Sequence, residues 1–118
     1  MTIKRFDTGP RMSQAVVHNN TVYTAGQVAA TKKGGSVKDQ TTEILQQIDR
    51  LLAAAGTDKS RLISATIWLT DIARFSEMNS VWDAWVSPGN TPARACVEAK
   101  LVTPDYAVEI AVICAQQN

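Results

Sequence analysis

Arg61-Leu62-Ile63-Ser64-Ala65-Thr66-Ile67-Trp68-Leu69-Thr70 alternates side chains with a period of two, the spacing of a strand whose two faces meet different surroundings. Ile63, Ala65, Ile67 and Leu69 form one set, and Leu62, Ser64, Thr66 and Trp68 the other. The next apolar residues, Phe75, Met78, Val81, Trp82, Trp85 and Val86, recur at helical spacing, with Asp71 as a capping residue and Ser87-Pro88-Gly89 as the stop. Residues 93–101 alternate again, Ala93, Ala95, Val97, Ala99 and Leu101 against Arg94, Cys96, Glu98 and Lys100. A strand, a helix and a second strand in that order predict a right-handed parallel crossover. The first-named set of each strand is expected to face the helices.

Working outward, residues 14–18 and 21–25 flank Asn19-Asn20, a pair that tolerates positive φ and suits a tight hairpin, with 3–7 as an edge strand before them. Ile44, Leu45, Ile48, Leu51, Leu52 and Ala55 predict a helix over about 37–55, opened by Ser36 with Asp39 and closed by Gly56. The apolar run from Tyr106 to Ile113 is the last strand. These elements make a single α+β domain over 1–118, two helices on one face of a mainly antiparallel sheet. The other face would carry Ser64, Thr66, Trp68 and Cys96, a semi-apolar set that a neighbouring subunit is expected to cover. Lys32-Lys33-Gly34-Gly35-Ser36 reads as a surface loop.

Composition removes several function classes. Twelve basic residues against eleven acidic ones, with no basic run, argue against nucleic acid as a partner. No apolar signal core and no membrane-length apolar run occur, so the chain is expected to be cytoplasmic and off the membrane. One histidine and two separated cysteines, Cys96 and Cys114, offer no metal set, and neither Gly34-Gly35 nor Gly26-Gln27 has the context of a phosphate or dinucleotide loop. No cofactor is expected.

Two charges stand in segments that should be buried strands: Arg94, and the lone carboxylate Glu109 in its apolar run. Desolvating an ion costs several kcal/mol unless it is paired, so together they suggest a site for a small carboxylate, which a planar guanidinium grips with two parallel hydrogen bonds. The plainer readings are an edge-strand arginine reaching water and a structural ion pair at an interface. Asn79 falls within the apolar stripe of its helix and is either a site amide or a packing amide. Cys96 lies two residues from Arg94, but with His18 assigned to the hairpin it lacks a base and reads as a structural or pocket-lining thiol.

Asn90-Thr91-Pro92-Ala93-Arg94-Ala95-Cys96-Val97-Glu98, with Val108-Glu109-Ile110, closely resembles the carboxy-terminal signature of the Rid (YjgF) family. Thr24-Ala25-Gly26-Gln27-Val28, Phe75 and Met78-Asn79 match its other recurrent features in the same order. The resemblance implies a chorismate-mutase-like fold, a homotrimer with sites between subunits, and cofactor-free hydrolysis of reactive 2-imino acids to 2-keto acids and ammonia. By motif position it implies that Arg94 holds the substrate carboxylate, Glu109 activates water, and Cys96, Asn79, Gly26 and Ala25 line the pocket. Two departures bear on substrate: the family's deaminases usually carry a Tyr after the early Gly-Pro, here Arg11 and Met12, and a Ser where Ala25 stands. A different substrate, or a non-catalytic keto-acid binding protein of the same fold, are therefore the alternative expectations.

Overall fold

The computed structural model describes residues 2–116. Its strands are β1 (Lys4–Thr8), β2 (Ser13–His18), β3 (Thr21–Thr24), β4 (Leu62–Leu69), β5 (Ala93–Glu98) and β6 (Val108–Ala115). Two helices, α1 (Val37–Ala54) and α2 (Phe75–Trp85), complete the α+β domain. The strands form one sheet in the order β1-β2-β3-β6-β4-β5, antiparallel throughout except where β5 runs parallel to β4 across the α2 connection. Among the described residues no helix is long and apolar enough to cross a membrane.

Local chemistry explains most boundaries. Asn19 and Asn20 both take positive φ, 52° and 61°, which lets β2 turn directly into β3. Ser36 accepts a hydrogen bond from the Asp39 amide at 3.0 Å to open α1, and Gly56, at φ 80°, follows its end. Asp71 behaves differently from the sequence expectation. It caps a short 3-10 turn, Ile72–Arg74, through the Ala73 amide at 3.0 Å, and α2 begins after that turn with no side-chain cap of its own.

The core lies between the helices and one sheet face, where Ile44, Leu45, Ile48 and Leu52 of α1 meet Ile67, Leu69 and Ile110. Each is fully buried, contributing about 1.5–3 kcal/mol by leaving water. Ala65, Ile67 and Leu69 face the helices as expected, but Ile63 does not. The β4–β6 register shifts between Leu62 and Ser64, so Leu62 turns inward and Ile63 is left 49% exposed.

Strand β5 reverses the expected facing outright. Its pairing sets Arg94, Cys96 and Glu98 beside Ala65, Ile67 and Leu69, on the helix side, and Ala93, Ala95 and Val97 beside Ser64, Thr66 and Trp68. The apolar set is thus the outward one, with Val97 47% exposed. On this edge strand only Cys96 packs against the core, and the other five residues are exposed, so its alternation carries little record of the core. Cys96 therefore leaves the uncovered face, and the strand ends at Glu98 instead of running to 101. Beside Ser64, Thr66 and Trp68 of β4, that face presents Val16, Tyr23, Ile113, Ala111, Ala95 and Val97 from β2, β3, β6 and β5.

Buried amides fasten the loops to this frame. Gln40 of α1, wholly buried, donates to the carbonyls of Gly35 and Asp105 (3.0 and 3.1 Å) and accepts from the Ala107 amide at 2.9 Å. This one side chain ties the 32–36 loop to the approach to β6, alongside the bond from the Gly34 amide to the Asp105 carbonyl at 2.7 Å. Substituting Gln40→Leu strands the Gly35 carbonyl and the Ala107 amide, while the Asp105 carbonyl keeps its bond from Gly34, and is expected to cost about 2 kcal/mol, read as a lowered denaturant midpoint with an unchanged slope.

Candidate functional site

Arg94 projects from edge strand β5 over α2 and is exposed, matching the plainer reading of its position and correcting the expectation of a buried charge. Its Nη1 donates to Asn79 Oδ1 at 2.8 Å. The guanidinium carbon lies 5.3 Å from the Trp82 ring centre and 5.7 Å from that of Phe75. Two aromatic faces and one amide hold the group by cation–π attraction and a directional bond, leaving its other donors free for an anion. Asn79 is half-buried within the α2 stripe, where helical spacing put it. Cys96 follows on the same face, and burial pushes its thiol up, with Arg94 acting in the opposite sense. That thiol is not poised as a nucleophile.

Glu109 lies elsewhere. In β6 it pairs with Trp68, and so occupies the sheet face opposite Arg94. Within one chain these two charges do not converge. The Glu109 carboxylate instead lies over Gly26: a β-carbon added to that glycine would fall 1.9 Å from Glu109 Oε2. Gly26 does not have positive φ, so what a side chain there would meet is the movable Glu109 carboxylate and not a backbone constraint. Among the described residues Glu109 makes no ion pair, and burial alone raises its carboxyl above the ordinary carboxylate range.

Gly26 and Glu109 line an open cleft of about 780 Å3. Met12 contributes from just before β2 and Gln14 from within it, Gln47, Arg50, Leu51 and Ala54 from α1, and Tyr106 from the loop before β6. Asn79, Arg94, Cys96 and Ala25 do not line it. Arg11, Ser13 and Tyr23, the nearby residues that could stand in for the absent Tyr and Ser hydroxyls, do not line it either, and the Ser13 hydroxyl is hydrogen-bonded to that of Thr8 at 2.9 Å.

Sequence reasoning overlooked the glutamines of this cleft. Gln27, buried in the segment after β3, donates from Nε2 to Gln14 Oε1 at 2.9 Å, and its own Oε1 accepts from Gln47 Nε2 at 3.3 Å. A signal existed for Gln47: it lies three residues after Ile44 and four before Leu51, inside the α1 core stripe. No comparable signal marks Gln14. Among the described residues no group of His, Cys, Asp and Glu side chains is arranged to hold a metal ion.

Comparison with known proteins places this arrangement in a lineage. The family model described as endoribonuclease L-PSP matches residues 2–116. A RutC family protein of Haemophilus ducreyi is 42% identical over 113 residues, covering 96% of each chain, and the RutC family protein YoaB of Escherichia coli is 43% identical over 115 residues, covering 98% of this chain and 99% of its own. The crystal structure of a YjgF family member from Neisseria meningitidis superimposes with a TM-score of 0.96 at 44% identity, over 100% of this chain and 98% of that one. A protein of unknown function from Yersinia pestis, described as belonging to the conserved Rid family, matches with a TM-score of 0.83 at 28% identity, over 92% and 90% of the two chains. The chain belongs to the YjgF/Rid family, whose family model carries the endoribonuclease L-PSP description.

Proposed function

We propose that this protein hydrolyses reactive 2-imino or 2-enamino acids to 2-oxo acids and ammonium, without metal or organic cofactor. The observation that carries the reading is the Glu109 carboxylate: partly buried, unpaired, raised toward its neutral form, and standing over a glycine beside an open cleft. Such a group takes and returns protons near neutral pH more readily than an ordinary carboxylate. The complementary half is Arg94, held by Asn79 and two rings with donors to spare.

Because the two halves face opposite ways in one chain, the working site forms between copies. Arg94 of one copy meets Glu109 of the next, in a homotrimer with three clefts. The uncovered face supports this: Tyr23, Ile63 and Val97 are 44–49% exposed on a surface of small and apolar side chains, which a second copy would remove from water. A basic stripe that would track RNA is absent from a chain of net charge +1, so the ribonuclease sense of the family description finds no support here.

The chemistry balances as RC(=NH2+)COO− + H2O → RC(=O)COO− + NH4+. Arg94 grips the carboxylate and so orients the electrophilic C2. Water attacks C2 as Glu109 accepts one of its protons, forming the C–O bond of a carbinolamine. Glu109 then returns that proton to nitrogen, the C–N bond breaks, and the second water proton follows as the oxygen becomes a carbonyl. No electrons are exchanged with any other reagent.

Three outcomes test this reading. Arg94→Ala should lower kcat/KM for an imine generated in situ by about a hundredfold, or ~2.7 kcal/mol of transition-state stabilisation, with the oligomer intact; an unchanged rate rejects the carboxylate role. Glu109→Gln should abolish ammonia release while 2-oxo acid binding persists, and the wild-type rate should climb with pH through an acid limb above the ordinary carboxylate range that the variant lacks. The direction follows from the sign of the shift: burial favours the protonated acid, so the base form appears only at higher pH.

Gly26→Ala should behave like the loss of Glu109, since the new methyl group displaces the carboxylate while the backbone tolerates alanine; full activity would show that the carboxylate works from another position. Ala95→Arg, beside Thr66 on the edge strand of the uncovered face, should yield monomers by light scattering and no activity, and an active monomer would refute the shared site.

A further inference from the structure

The three glutamines beside the cleft have a direction, and backbone groups whose roles are fixed determine it. The Ala30 amide can only donate, so the Gln47 atom 3.3 Å from it is the oxygen, and the Val28 carbonyl can only accept, so the atom 3.0 Å from it is the nitrogen. That nitrogen also meets Gln27 Oε1 at 3.3 Å. The nitrogen of Gln27 is identified in turn by the Ala25 carbonyl at 3.1 Å, and its second bond reaches Gln14 at 2.9 Å. Gln14 must therefore receive with its oxygen. Its Nε2 is left with no hydrogen-bond partner among the described residues, in a side chain that lines the same cleft as Glu109. Because Ala15 and Val17 are buried toward the helices, the alternation of β2 puts Gln14 on the face that also carries Glu109.

We infer that the Gln14 carboxamide is a further substrate-binding group, donating from Nε2 to the reacting oxygen, the atom that arrives as water and leaves as the 2-oxo carbonyl, while Gln27 and Gln47 position it. The inference rests on the deaminase reading for the identity of that oxygen. The attacking water has two protons and two lone pairs. One proton goes to Glu109, one lone pair forms the bond to C2, and the other lone pair is the acceptor that an outward amide nitrogen matches. As the carbinolamine collapses, the same oxygen becomes a carbonyl and keeps that acceptor. A chain of amides each donating in one direction strengthens the terminal donor. In this chain Arg11, Met12 and Ala25 stand where the family's deaminases usually carry hydroxyl groups, and Gln14 supplies the cleft with a donor of different chemistry.

Two substitutions separate this role from a structural one. Gln14→Glu keeps an acceptor for Gln27 Nε2 but replaces the outward donor with a charged oxygen, and so reads the fold and the glutamine series. Gln14→Met, neutral and of similar length, removes donor and acceptor without adding charge, so the affinity lost in Gln14→Met cannot come from repulsion of the anionic probe. With 2-oxobutanoate as the probe in titration calorimetry, and ammonia release from an imine made in situ, both variants should lose about tenfold or more in affinity and show a matching rise in KM. Gln14→Glu should retain the wild-type melting midpoint and oligomer mass. Wild-type affinity in either variant, or a Gln14→Glu protein that loses its fold, overturns the assignment, the latter because the side chain would then be structural. A wild-type protein that binds 2-oxobutanoate but releases no ammonia removes the deaminase reading, and the same loss of affinity in the variants would still support the donor. A wild-type protein that binds no 2-oxo acid overturns both.

Discussion

Every functional consequence here depends on the pleat of one sheet. Successive side chains of a strand point to opposite faces, and the pairing of Ala65 with Arg94 and of Trp68 with Glu109 sends the two charges to different sides. Only one side is covered by helices. A guanidinium at the edge of the covered side and a carboxylate on the bare side stay apart in a single chain, and the proposed pairing of copies is what would bring them together. The same parity puts Val97, Ala111 and Ile113 on the bare side, the side that also carries the acid.

Polar groups are handled in two distinct ways in this structure. Gln40 is wholly buried with its three hydrogen bonds directed at backbone groups, which makes it a fastener of loops. The Gln47, Gln27 and Gln14 series begins in the same manner, with backbone partners at its inner end, but terminates at the cleft. Glu109 completes the contrast, since burial acts on it with no compensating partner among the described residues. A folded chain tolerates an unpaired, partly buried acid when the resulting shift in protonation is useful. Arg94 has no such strain, because Asn79 and the rings of Phe75 and Trp82 orient it while solvent still reaches it.

Glycine has a specific part in this division. At Gly26 the essential property is volume: the space of a β-carbon belongs to the Glu109 carboxylate. Gly56, by contrast, is needed for its positive φ at the end of α1. The two positions look alike in sequence and differ in what a methyl group would disturb.

The elements themselves were legible in the sequence because periodicity and punctuation are local. The period-two run of β4, the helical stripes of α1 and α2, the Asn19-Asn20 turn and the Ser36 cap all act within a few residues and stand as expected. The family was legible too, since its motifs lie in linear order over 2–116. What only the tertiary structure decided was facing. Register between strands distant in sequence turned Arg94 and Cys96 toward the helices and Val97 outward, a choice that alternation alone leaves open because both sets of an edge strand fit either side. The glutamine series was likewise out of reach, for it joins residues 13 and 20 positions apart through bonds that exist only once β2, the segment after β3 and α1 are packed together.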